Sequence, residues 1–208
     1  MSAHSETVLK RQTHVESTTA KIYSNLMTPF SVASAVSVVF SWFSPIGTGP
    51  IMTPFSSAAV GILTLCIAPF VPVIYSARVG RTDLDVSDVS KRAPLYVPGL
   101  VSYAAGALVF LSLKNDIMFL IAFAYVCVTL ATFLITFVWK ISAHTAGIAG
   151  PTTALVFVFG TWILPLYVLS ILMIWSRVKL GAHTLIQAVA GIVVAVTITG
   201  VVYAVLYL

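Results

Sequence analysis

Beyond a polar N-terminal segment, residues able to do chemistry gather in three short polar islands in an otherwise apolar chain. In one, Ser176 and Arg177 are followed after five residues by His183. An Arg beside a His at a helix start is a fit for a phosphate group. The guanidinium presents a fixed fork of donors, and a helix N-terminus adds backbone N–H groups and a favourable dipole. Gln187, four residues after His183, would share its helix face and select which ring nitrogen is free. A second island, Ile141-Ser142-Ala143-His144, opens an apolar segment. Its hydroxyl and imidazole suit oxyanion binding and proton donation, although Ser142 also reads as a helix N-cap. The third island runs from Arg81 to Arg92 and holds Asp83, Asp85, Asp88 and Lys91. Its acids suggest a Mg²⁺ site, its bases a phosphate site, and both together a solvated ion-paired loop. Polar groups at membrane depth are functional candidates by default. The bland alternative for all three islands is interfacial Arg and Lys reaching head groups past satisfied histidines.

The elements that must position these islands are membrane helices. The 208 residues are 59% hydrophobic and only 8% charged, against about 25% charged in soluble domains. A span needs about 20 largely apolar residues. Candidates are 26–43, 56–77, 95–113, 117–139 and 183–207, with 145–176 divided at Gly160 and Thr161 into 145–160 and 162–176. The expectation is an all-α polytopic helix bundle of six to seven spans, one domain over 26–208, preceded by a polar, surface-lying tail over 1–25. No signal peptide is read there. Ten of the eleven basic residues fall in the tail and in loops 78–94, 140–144 and 177–182; Lys114 alone lies on the other side. This bias predicts that the three islands share a cytoplasmic face of the cell membrane. Trp42, Trp139, Trp162 and Trp175 fall at span ends, as interfacial belts require. The two short spans decide whether a shared site exists. A single span over 145–176 would place His144 and His183 on opposite faces.

The net charge of +5 is not gathered into a nucleic-acid-binding pattern. Cys66 and Cys127 both lie within apolar stretches, which gives neither a disulfide framework nor a zinc spacing. No internal repeat is visible.

Taken in order, the islands resemble the three signatures of the type 2 phosphatidic acid phosphatase superfamily, the integral-membrane lipid phosphate phosphatases. Those read Lys, six residues, Arg-Pro; then Pro-Ser-Gly-His; then Ser-Arg, five residues, His, three residues, Asp. Ser176, Arg177 and His183 match the third, with Gln187 at the Asp position. Ser142 and His144 match the second, with Ile141 and Ala143 in place of Pro and Gly. The first keeps Arg92, with Pro94 one position late and Asp85 where the Lys would stand.

The resemblance implies phosphoryl transfer without metal or other cofactor from a lipid phosphate or diphosphate, with a polyprenyl carrier as the first expectation and a phosphatidate-type lipid next. His183 would be the nucleophile and His144 the general acid. Arg92, Ser142 and Arg177 would hold phosphoryl oxygens, with Lys91 or Lys179 filling the missing Lys position. Gln187 would orient His183 without the charge of a carboxylate. Asp85 has no equivalent role.

Two other classes stay open from the residues. A Mg²⁺-dependent intramembrane prenyltransferase would use Asp83, Asp85 and Asp88, but it needs a second acidic cluster and Asp116 is the one other Asp. A non-catalytic lipid-binding or scaffold protein would explain the replaced Asp and Lys positions.

Overall fold

A computed structural model describes residues 16–82, 86 and 91–207, and the backbone alone of Arg92. The chain is an all-helical, multi-pass membrane bundle, with no strand among the described residues. Its helices are α1 (Glu16–Leu26), α2 (Pro29–Phe43), α3 (Pro54–Arg78), α4 (Arg92–Ser112), α5 (Asp116–Thr136), α6 (Ala143–Phe159), α7 (Thr161–Lys179) and α8 (Leu185–Leu206). Five of them, α3, α4, α5, α7 and α8, are long and apolar enough to cross a bilayer. The pair α1 and α2, bent by 47°, passes the same test together, and α6 is a shorter apolar helix. Large apolar side chains such as Leu108, Leu134, Ile171 and Val193 are exposed on the outside of the bundle. A membrane solvates them there, whereas water would not. All four Trp side chains lie exposed near helix ends.

Local signals set the helix limits. Thr28-Pro29 and Thr53-Pro54 each place an N-cap hydroxyl before a proline in the first turn. That is where a missing N–H does no harm. The division of 145–176 falls where expected. Gly160, at φ +99°, ends α6 in a conformation that suits glycine. The chain then turns through a 3₁₀ segment, Thr161–Leu166, into the α-helical part of α7. Residues 1–15 of the expected tail lie outside the described residues. Within 1–25, residues Glu16 onward form α1, because Ala20 and Ser24 find buried partners on α7.

Interior packing relies on small residues and polar cross-links, as is usual where lipid removes the hydrophobic drive between helices. Inside α3, Ile62–Ile67 is a π-helical turn preceding Pro69. The Ala68 N–H reaches back to the Leu63 carbonyl, and the Ser102 hydroxyl of α4 bonds the Thr64 carbonyl at 2.6 Å. On the face away from the islands, buried Asn115 donates to Ser57 at 2.9 Å, and Ser41 donates to Ser57 at 2.8 Å. The Asn115 carbonyl oxygen also caps α5 by accepting from Met118 N–H.

Candidate functional site

The chain passes from the islands' face to the opposite face and back, so α3, α5 and α7 end on the face where α4, α6 and α8 begin. The islands of His144 and His183 meet at the adjoining starts of α6 and α8. Ser142 is the N-cap of α6, its Oγ accepting from Thr145 N–H at 3.4 Å. The Thr145 hydroxyl lies within bonding distance of two carbonyls, Ser142 at 3.1 Å and Ala188 of α8 at 2.8 Å. The Ser142 N–H donates to the Gln187 carbonyl at 3.3 Å. Gly191 makes this approach possible, since a Cβ there would come within 2.4 Å of the Thr145 hydroxyl and 2.5 Å of the Ser142 carbonyl. His144 therefore stands in the first turn of α6, beside the entry to α8.

His183 is positioned by a helix stop. Gly181, at φ +65°, follows the end of α7; its N–H donates to the Val178 carbonyl at 3.0 Å, and the Ala182 N–H donates to the Arg177 carbonyl at 3.0 Å. This pairing is the Schellman ending. The His183 N–H is directed at the same Arg177 carbonyl, at 3.3 Å. Thr184 then caps α8. His183 is buried, 6% exposed, and Arg177 is 1% exposed.

His144 and His183 line one cavity of about 420 Å³. Asn25, Thr28 and Pro29 from the bend between α1 and α2 border it at the histidine end. From there the wall continues inward as largely apolar surface, including Phe70, Leu95, Ala124 and Val128. The described wall residues include no Asp, Glu, Lys or Arg.

Other expected site residues are placed differently. Gln187 does not share a helix face with His183, because α8 begins at Leu185 and His183 precedes its cap. Its carbonyl Oε1 instead accepts from Thr184 N–H at 3.0 Å while Thr184 Oγ1 accepts from Gln187 N–H at 3.3 Å, a capping box. Ser142 is fully buried outside the cavity wall, and its hydroxyl oxygen serves the start of α6. Lys179 pairs with Glu16 of α1 and is not in the wall. Arg177 belongs to the last turn of α7 and not to a loop, and its Nη1 donates to Ser24 at 2.8 Å. It sits behind His183, joined through the shared carbonyl. Lys91 is exposed just before α4, whose first residue is Arg92. The Arg92 side chain and Asp83, Asp85 and Asp88 lie outside the described residues.

The sequence reading did not include α1. Ser176 donates to the Ala20 carbonyl at 2.7 Å, Tyr23 donates to the Leu169 carbonyl at 2.7 Å, and Ser24 receives Arg177. The available signal was Thr28-Pro29, which marks a helix start and so separates residues 16–26 as an element of their own.

Among the described residues, no group of three His, Cys, Asp or Glu side chains has the arrangement of a metal site. No family model, curated protein or solved structure matches the chain.

Proposed function

We propose that the chain is a membrane phosphatase that hydrolyses a lipid phosphate or diphosphate through a phosphohistidine. The observation that carries this reading is the convergence of His144 and His183 on one cavity, with Arg177 bound through its carbonyl to the His183 backbone. A ring nitrogen of neutral His183 attacks phosphorus, and the bond from phosphorus to the lipid oxygen breaks. His144, as imidazolium, gives that oxygen its proton and becomes neutral imidazole as the lipid alcohol departs. Water then attacks the phosphohistidine, returns a proton to His144, and inorganic phosphate departs. Arg177 and Arg92 supply positive charge for the transferred group, where fixed donors act most strongly. For Arg177 this requires part of its buried hydrogen bonding to pass to the phosphoryl oxygens. The face carrying the site is the basic one, which supports a cytoplasmic face of the cell membrane.

The test is phosphate release from a panel of lipid phosphates by protein in nanodiscs with EDTA present. Wild type is expected to release phosphate, and His183→Ala to lose about a thousandfold or more. His144→Ala is expected to lose about 10²–10⁴-fold on alkyl phosphates, and much less on an aryl phosphate whose leaving group needs no proton. Near-normal turnover by His183→Ala, or an absolute requirement for Mg²⁺, would sink the reading.

A further inference from the structure

The cavity also has a depth and a capacity, and these bear on the substrate's tail. It follows the helices inward from the histidine end. Its wall includes Gly99 and Tyr103 of α4, Ile121 and Tyr125 of α5, and Thr199 of α8. At 1.5 Å per residue, Thr199 lies about 21 Å along α8 from Leu185, and Ile121 about 22 Å along α5 from Thr136. The cavity thus reaches some two thirds of the way through a hydrocarbon core of about 30 Å.

We infer that this cavity is a tail site for an apolar chain of about 14 carbons carrying a terminal phosphate. Its depth sets that length. An extended chain advances roughly 1.25 Å per carbon, the projection of a ~1.5 Å C–C bond, so the depth below a phosphate takes about 14. A long polyprenyl carrier exceeds that depth. The wall is suited to hydrocarbon. Thr132 places its hydroxyl within bonding distance of the Val128 and Thr129 carbonyls of its own helix, and the deeper hydroxyls of the wall are those of Tyr103, Tyr125 and Thr199. The inference rests on the phosphatase reading for the phosphate end, and it narrows the expected polyprenyl carrier to a short isoprenoid or a plain alkyl chain.

Two substitutions shorten the site, one from each of two neighbouring helices. A Cβ at Gly99 would meet nothing closer than Pro69 Cβ at 3.8 Å, so a larger side chain there extends into the cavity. Ala124, on α5, offers the second position. The probe is a single-chain alkyl phosphonate with a diazirine near the end of its tail, used in phosphatidylcholine nanodiscs with mass-spectrometric mapping. Labels are expected on the α5 and α8 segments around Tyr125 and Thr199. Single-chain alkyl and short isoprenoid phosphonates should compete, and whichever competes better identifies the source of the chain. Long polyprenyl phosphonates should compete about tenfold more weakly at equal mole fraction. Gly99→Leu and Ala124→Leu should each lower the ratio of long-chain to short-chain labelling by about tenfold, as a pocket shortened by a few methylenes does. If one variant fails to fold, the other carries the measurement. Labels on lipid-facing Val101 and Leu108 in place of the interior would overturn the tail site, as would equal competition by long polyprenyl phosphonates. Interior labelling without phosphate release from any lipid phosphate leaves the tail site standing and removes the phosphatase reading; release with exterior labelling does the reverse.

Discussion

Two readings of Gln187 compete at the scale of single residues, and hydrogen bonds separate them. As the replacement for an Asp, it would act on His183. As the fourth member of Thr184-Leu-Ile-Gln, it closes a capping box on α8. The bonds belong to the second, so its contribution to the site is indirect: it fixes the start of the helix that His183 precedes. Gln187→Glu is expected to keep the cap and with it the stability of the bundle, while Gln187→Ala loses about 0.5–2 kcal/mol. Equal loss from both in a reversible unfolding assay would show that the cap is not what Gln187 supplies. The capping signature was legible in the sequence. It was hidden because the same glutamine also stands in the position of a signature residue. Ser142 is a similar case: both of its readings were visible, and burial gives its hydroxyl oxygen to the start of α6.

Helices were legible to within a few residues because twenty apolar residues between polar ones leave little choice in a bilayer. Their contacts were not, because small residues and hydroxyls that join helices look like filler in a single sequence. The seam of α6 with α8 is such a case. Gly191, Thr145 and Ser142 meet there with no space for a side chain. Gly191→Val should force the two helix starts apart and separate His144 from His183. Activity should fall by about a hundredfold, while circular dichroism stays close to wild type. Normal turnover in that variant would mean that the seam does not set the geometry of the pair. The π turn of α3 was equally hidden. Pro69 and Pro72 predict a break, yet the chain remains a helix because Ser102 of the next helix takes up the Thr64 carbonyl.

For the whole molecule, the division of 145–176 decides where the site lies. With α6 and α7 as separate helices, the islands of His144 and His183 come to one face and both histidines enter one cavity. That outcome followed from counting residues around Gly160. The cavity itself did not, since its wall draws on seven helices that no local pattern relates. Single cysteines at Arg81 and Lys91, in a background without Cys66 and Cys127, should react with a membrane-impermeant maleimide from the same side as one at Ala182. A cysteine at Ile46 should react from the other side. Reaction of the Arg81 and Ala182 variants from opposite sides would break the arrangement.

The Schellman ending of α7 gives the five-residue gap between Arg177 and His183 a mechanical meaning. Both N–H groups after Gly181 turn back to one carbonyl, so charge and imidazole are mounted on the same bracket. Many side chains can occupy positions 178–182, with Gly181 the exception, but their number cannot change. One residue more or fewer would move His183 off the bracket while leaving every helix intact. The gap is therefore a tolerance of assembly, and a chain drifting in sequence can lose its flanking motif residues long before it can alter that count.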